Sequence, residues 1–191
     1  MKKRNNIIIG LALVAIILFA VMEFVVIPKQ QQQANNYSLA QQEPVTHDLG
    51  TILPYRSKYM GDASNNSNLF HALPMNECLN GFQQNSDLLE LTMNYNVNSR
   101  EIASQKLMKT LIYNSTAAFA LIDNLQVLRY HFNDQTYQVT RNEIQSAVAA
   151  HPSELLNKQI WKTNLQDKLQ DEVYVRDTFQ LIAKKEAPGL A

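Results

Sequence analysis

Residues 88–95 read LLELTMNY, and from Leu89 to Tyr95 apolar side chains alternate with polar ones. A period of two places the apolar side chains on one face of a β-strand and the polar side chains on the other. We therefore expect a half-buried strand here. The preceding residues 79–84 form a second candidate strand, and Asn85-Ser86-Asp87 between the two is typical of a turn, so the pair predicts a β-hairpin.

The chain beyond this hairpin predicts a second hairpin and several helices. Residues 125–132 and 136–140 have strand-like composition and flank Asn133-Asp134-Gln135. Helices are expected at residues 63–73, 99–122, 140–150 and 163–184. Because strands and helices do not alternate strictly, we expect an α+β fold, with an antiparallel sheet of about four strands packed by helices.

The amino-terminal region is the most apolar part of the chain. Residues 7–27 read IIIGLALVAIILFAVMEFVVI, and Glu23 is their one charge. A helix of this length, rising ~1.5 Å per residue, reaches about 30 Å, the thickness of a hydrocarbon core. The basic residues 2–4 precede it, and the positive-inside bias then places the amino terminus in the cytoplasm. The sequence predicts an integral single-pass membrane protein; a cleaved signal is the alternative, although no Ala-x-Ala site follows.

These patterns divide the chain into four segments. Residues 1–28 are the basic cytoplasmic end and the transmembrane anchor, which Pro28 is expected to end. Residues 29–42, KQQQQANNYSLAQQ, offer little apolar surface and predict a flexible tether rich in glutamine and asparagine. Residues 43–185 are the extracytoplasmic α+β domain, and residues 186–191 are a flexible tail.

Composition disfavours several classes of function. After Lys29 the chain carries 13 basic and 16 acidic residues, a net charge of −3 without a basic cluster, so nucleic acid is not an expected partner. The single cysteine, Cys78, cannot close an internal disulfide or build a multi-thiolate zinc site. The four histidines have no metal-ligand spacing, and no phosphate loop or nucleophile elbow occurs. We expect no metal, no cofactor and no recognisable catalytic residue.

The candidate binding surface consists of Tyr55, Tyr59 and Asp62. An aspartate beside Gly61 can ligate a hard cation or cap a helix, and capping is favoured because residues 63–65 supply no second carboxylate. Six tyrosines could line a groove or lie at the edge of a core: Tyr55, Tyr59, Tyr95, Tyr113, Tyr130 and Tyr137.

Residues 55–64, YRSKYMGDAS, followed by residues 69–74, resemble an uncharacterised extracytoplasmic domain of Gram-positive bacteria, a domain of unknown function. Residues 113–116 and 119–124 share in the resemblance, which covers about residues 49–179. Such domains occur in small anchored or lipid-attached proteins and are appended to membrane metallopeptidases of the beta-lactam-sensor type. The resemblance implies a sensing or partner-binding role and brings no catalytic residues. Lipid-attached members carry a cysteine after the signal, and this chain has none there, which favours a protein anchor.

Three functions are compatible with these features. The first is a non-catalytic, membrane-anchored module that senses a ligand or binds another envelope protein. The second is an envelope hydrolase in which Cys78 or an aspartate meets a histidine only after folding. The third is a structural accessory subunit that acts through its transmembrane helix.

Overall fold

The computed structural model describes residues 11, 13, 16 and 18–186. The chain divides between Ala40 and Gln41 into two compact units. The α-helices are α1 (Ile27–Gln41), α2 (Ala63–Ala72), α3 (Ser104–Leu121), α4 (Arg141–Ala147), α5 (Lys158–Trp161) and α6 (Glu172–Ile182). The strands are β1 (Leu79–Asn85), β2 (Glu90–Tyr95), β3 (Val127–His131), β4 (Thr136–Thr140) and β5 (Lys184–Glu186). Shorter 3-10 turns span Leu49–Thr51, Leu53–Tyr55, Asn76–Cys78, Ser99–Glu101, Pro152–Leu155 and Lys168–Gln170.

The described residues of the first unit are helical, and their helix continues through Pro28 instead of ending there. A π-helical turn, Met22–Val26, leads directly into α1, which runs to Gln41. Proline has no N–H and its ring collides with the carbonyl four residues earlier, and the wider π turn next to it accommodates both defects. The glutamines of residues 30–33 favour helix. Residues 29–41, where a tether is predicted, are therefore helical.

The prediction of a transmembrane anchor is contradicted. No helix in the described part of the chain has both the length and the apolar composition that crossing a bilayer requires. The described helix carries Glu23 and Lys29 and continues into a run of glutamines and asparagines. Three predictions depended on this anchor and are corrected with it: the single pass, the integral membrane association and the extracytoplasmic location. Residues 1–10, 12, 14, 15 and 17 of the predicted anchor, and residues 187–191 of the predicted tail, lie outside the described residues.

The second unit is built on one mixed sheet. Up to Glu186, the last residue that the structure describes, this sheet has five strands, and they follow the order of the chain from β1 to β5. The neighbouring strands are antiparallel except β2 and β3, which are parallel. Parallel neighbours need a crossover connection, and the segment that contains the 18-residue helix α3 provides it. This segment returns the chain to the end of the sheet at which β2 began. The α+β class is confirmed, whereas the wholly antiparallel sheet of about four strands is wrong.

The carboxyl-terminal helix predicted over residues 163–184 is interrupted. A π-helical segment, Lys162–Gln166, follows α5, and the side chain of Asp171 then accepts hydrogen bonds from the backbone N–H groups of Val173 and Tyr174. This N-cap starts α6 afresh. After Ile182 the chain leaves the helix and Lys184–Glu186 pairs with β4, which adds the fifth strand.

The core lies between one face of the sheet and α6, with α3 in the middle. Thirteen of the 18 residues of α3 are buried, as expected of a helix that is covered on nearly all sides. In the three central strands, buried and half-exposed residues alternate. The inward-facing residues of these strands are Leu91, Met93, Tyr95, Leu128, Tyr130, Tyr137 and Val139.

Candidate functional site

The candidate site is the loop of residues 53–62, called the 53–62 loop below, which precedes α2. Tyr59 is the most exposed large hydrophobic side chain of this loop, with 69% of its surface accessible, and Leu53 is 39% accessible. Tyr55 is half-buried. The buried residues Ile52 and Met60 fix the chain just before the loop and within it. An apolar and aromatic surface is therefore presented between two points that are anchored in the core.

The segment that follows α3 holds the middle of the 53–62 loop. Ser57 forms an isolated parallel bridge with Ile122. Its N–H donates to the carbonyl of Leu121 at 2.8 Å, and its carbonyl accepts from the N–H of Asp123 at 3.0 Å. Met60 N–H donates to Oδ1 of Asn124 at 2.7 Å. The main chain of the loop is thus hydrogen-bonded on both sides of Tyr59, to the backbone of residues 121 and 123 and to the side chain of Asn124.

Two asparagines of α2 hold the loop from the other side. Nδ2 of Asn65 donates to the carbonyl of Tyr55 at 2.8 Å, and Nδ2 of Asn66 donates to the carbonyl of Met60 at 2.6 Å. Asn66 is fully buried, so its amide is a fixed donor. The backbone of the loop is therefore held in place, while the side chains of Leu53, Arg56, Lys58 and Tyr59 are exposed to solvent.

Asp62 caps α2, which confirms the helix-capping interpretation. Its Oδ1 accepts a hydrogen bond from the N–H of Asn65 at 2.9 Å. The backbone of Asp62 is extended, as in an ordinary N-cap, and the helix starts at Ala63. No group of three or more histidine, cysteine, aspartate or glutamate side chains suited to a metal ion occurs among the described residues.

The structure places Tyr55, Tyr59 and Asp62 on this one loop, and their role in binding stays a prediction. The wider tyrosine groove does not form, because its other four members are core residues: Tyr95, Tyr113, Tyr130 and Tyr137. Arg56 and Lys58 are also exposed on this loop, and they were not among the site residues predicted from the sequence. Their position between Tyr55 and Tyr59 in residues 55–59, YRSKY, was the available signal.

Arg141, at the start of α4, holds residues 119–125 in place. Its guanidinium donates to three carbonyls: Nη1 to Phe119 at 3.0 Å, Nη2 to Ile122 at 2.6 Å and Nε to Leu125 at 2.7 Å. A cation at the carboxyl end of α3 also opposes the negative end of the helix dipole. Burial lowers the pKa of Arg141, and the charge of Asp123 partly opposes that shift. Arg141 therefore stabilises the segment against which the 53–62 loop rests.

A second group of polar side chains is buried beneath α5. Nε1 of Trp161 donates to the hydroxyl of Tyr113 at 3.1 Å, and that hydroxyl lies 2.8 Å from Nδ1 of His47. Nε2 of His47 lies 2.8 Å from the carbonyl of Ala72, which can only accept. The proton of the neutral ring is therefore on Nε2, Nδ1 accepts from Tyr113, and Tyr113 accepts from Trp161. Every member of this Trp161–Tyr113–His47 chain has its partner.

Burial perturbs the ionisation of the same residues. It lowers the pKa of His47, although the hydrogen bond to Ala72 and the charge of Asp48 oppose the shift. It raises the pKa of Tyr113, and the hydrogen bond from Trp161 opposes that shift in part. Both side chains are therefore neutral near pH 7. A neutral, fully hydrogen-bonded chain of this kind fixes the packing of α5 on α3.

Two carboxylates are ionised and used for structure. Desolvation alone would raise the pKa of Asp134, but hydrogen bonds from the N–H of Ser99, from Arg100 and from the Ser99 hydroxyl hold it below its usual value. Desolvation would likewise raise the pKa of Glu143, but hydrogen bonds from Lys184 and Thr140 lower it below its usual value. Glu143 and Thr140 form the predicted capping box of α4. Neither carboxylate is poised to exchange a proton near neutral pH.

The structure does not bring Cys78 or an aspartate to a histidine in a catalytic arrangement. Throughout the described residues, no histidine lies within 4.0 Å of a carboxylate oxygen. Nδ1 of His71 lies against the carbonyl of Ser67, and Nδ1 of His131 against the hydroxyl of Thr136. The convergence that a hydrolase would require is not seen among these groups.

Comparison with known proteins identifies a family that matches part of the chain. Residues 52–144 match the family described as Domain of unknown function (DUF4825), so a domain of unknown function is found in this part of the chain. The match agrees with the uncharacterised domain that the sequence resembles. It includes the whole 53–62 loop, together with α2, α3 and β1 to β4. No curated protein matches the chain, and no solved structure does.

Proposed function

We propose that the protein is a partner-binding module and that the 53–62 loop is its contact surface. The observation that carries the proposal is the accessibility of Tyr59 on a main chain that is hydrogen-bonded at Tyr55, Ser57 and Met60. Binding normally loses free energy in ordering the loop that makes the contact, and a loop already held in place avoids most of that loss.

The side chains of the loop suit a protein interface. Tyrosine buries a large area with only two side-chain torsions to fix, and it is enriched among the residues that dominate binding energy. Leu53 adds an apolar contact at the other end of the same loop. By comparison, Glu143 caps α4, Asp134 binds the turn at Ser99, and His47 and Tyr113 are hydrogen-bonded in the core. A binding role therefore explains the exposed features better than a catalytic one.

The test is photo-crosslinking from position 59 in the full chain at native expression. A photoreactive amino acid replaces Tyr59 in one variant and Leu181 in a control variant. The two positions are matched because their side chains are 69% and 67% accessible, and Leu181 lies on α6. We expect a discrete crosslinked partner from position 59 that is absent from position 181.

A competing unlabelled chain completes the test. The wild-type chain should suppress the crosslink, and a Tyr59→Ala chain should suppress it about tenfold less well, since loss of one central aromatic contact commonly weakens binding by that factor or more. Identical products from both positions, or no product from position 59, would refute the proposed contact surface.

A further inference from the structure

Arg56 and Lys58 are exposed cations that have no acidic partner. In the part of the chain that the structure describes, neither has a carboxylate oxygen within 4.0 Å. Seven other cations of the same part do form ion pairs: Arg100, Lys106, Arg129, Lys158, Lys162, Arg176 and Lys184. The 53–62 loop is thus a place where positive charge is left without internal compensation.

The two cations flank Ser57 on the loop, one on each side of it. Arg56 and Lys58 are exposed, and Ser57 between them is half-buried and bonded through its backbone to residues 121 and 123. The backbone of Arg56 is extended. Alternate residues of an extended chain project to one side and are about 6 to 7 Å apart. An extended peptide that carries carboxylates on alternate residues has the same spacing.

The charge of the loop differs from that of the domain around it. Residues 43–186 carry 13 basic and 16 acidic residues and have a net charge of −3. The 53–62 loop carries two basic residues and one acidic residue, Asp62, and Oδ1 of that carboxylate accepts from the N–H of Asn65. A positive patch on a negatively charged domain attracts an acidic partner to this position.

We propose that the 53–62 loop binds an acidic segment of another protein, with Arg56 and Lys58 contacting alternate carboxylates and Tyr59 packing on an apolar residue of the segment. This inference rests on the proposed binding function and adds the chemistry of the partner. An apolar contact flanked by charges is the ordinary composition of a protein interface. Charge contacts at an exposed rim act mainly on the association rate and on selectivity.

The experiment selects peptides from a phage library of random dodecapeptides on the immobilised full-length chain. Four chains are compared: wild type, Tyr59→Ala, the double variant Arg56→Gln/Lys58→Gln and the control Lys158→Gln/Arg176→Gln. The control removes the same number of exposed charges from α5 and α6. Far-ultraviolet circular dichroism and the thermal midpoint verify that all four are folded.

We expect wild type and control to select peptides enriched in aspartate and glutamate on alternate positions, and the double variant to lose that enrichment. A labelled peptide from the wild-type selection should associate at least about tenfold more slowly with the double variant at low salt. The difference should shrink when added salt shortens the screening length to about 3 Å.

Other outcomes separate this inference from the proposed function. Peptides that require Tyr59 but show no acidic enrichment would overturn the acidic partner and leave the contact surface standing. Selection of no peptide above background, or of peptides indifferent to both loop variants, would overturn both. A dimer of the wild-type chain that the double variant dissociates would overturn the foreign partner in favour of a second copy of this chain.

Discussion

Substituting Tyr113 by phenylalanine is predicted to destabilise the second unit strongly, although the change removes a single oxygen atom. That oxygen accepts from Nε1 of Trp161 at 3.1 Å and lies 2.8 Å from Nδ1 of His47, to which it donates. Trp161 is fully buried and His47 is 2% accessible, so water cannot replace the lost partner without a rearrangement. The variant leaves one donor and one acceptor buried and unpaired.

The magnitude follows from these two groups. A buried polar group that loses its partner costs ~1–3 kcal/mol, so two of them predict a loss of about 3 kcal/mol in the free energy of unfolding. The phenylalanine ring preserves the edge-to-face contact with the Trp161 ring, whose centroid lies 5.4 Å from that of Tyr113. The loss is therefore assigned to hydrogen bonding and not to packing.

This loss is measured by urea denaturation, with the fluorescence of Trp161 as the signal, because Trp161 is the one tryptophan of the chain. Tyr95→Phe is the matched control, because Tyr95 is also buried but its hydroxyl makes no hydrogen bond among the described residues. We expect the control to change stability by less than about 0.5 kcal/mol. A Tyr113→Phe loss no larger than that of the control would refute the hydrogen-bonded chain. So would nitrogen chemical shifts that place the His47 proton on Nδ1.

Three further predictions concern pH, capping and the support of the loop. The pKa of His47 is lowered in the fold, so the unfolded chain binds the proton of this residue more tightly. The free energy of unfolding should therefore decrease as pH falls from about 6.5 toward 5, and His47→Gln should reduce this decrease in urea titrations. Carboxylates with lowered pKa values, Asp134 and Glu143, reduce stability only at lower pH, where they become protonated. A loss of stability confined to pH below about 4.5 would therefore contradict the role of His47. Asp62→Ala should destabilise the chain by about 1 kcal/mol in thermal unfolding, and Asp62→Asn by much less, because asparagine also caps. Arg141→Met should lower the free energy of unfolding by about 3 kcal/mol and speed amide hydrogen exchange at Ser57 and Asp123. Unchanged exchange at these two residues would show that the 53–62 loop does not depend on Arg141.

Local patterns in the sequence were reliable where the cause is local. Alternation over residues 89–95 predicted β2, and the Thr140–Glu143 capping box predicted the start of α4. Asp62 was correctly interpreted as a cap because the capping bond spans only three residues. In each case the atoms that decide the conformation lie within one turn or one strand of each other.

Features that depend on distant contacts could not be predicted in this way. Alternation is the same in parallel and antiparallel strands, so the parallel pairing of β2 with β3 was missed. Lys184–Glu186 has no apolar alternation at all and is a strand only because β4 offers an edge. The Trp161–Tyr113–His47 chain joins residues that are 48 and 66 positions apart, and its members carry no common spacing.

The amino-terminal prediction shows the opposite error, in which one strong local signal was given too much weight. The apolar run of residues 7–27 was considered apart from the polar residues that follow it. The helix passes through Pro28 and continues as α1 through the glutamine run. This continuation was missed because the predicted helix was ended at the proline. A proline inside a helix ends it only when no π turn or kink is formed beside it.

The hydrogen bonds that fix the 53–62 loop have a consequence for how its specificity can change. At Tyr55, Ser57 and Met60 the loop contributes main-chain atoms to the framework. The side chains of Asn65, Asn66 and Asn124 bond to Tyr55 and Met60, and the main chain of residues 121 and 123 bonds to Ser57, so every partner belongs to another segment. The outward side chains are thus separate from the scaffold. Substitutions at Leu53, Arg56, Lys58 and Tyr59 can exchange one recognition chemistry for another while the frame that displays them keeps its shape.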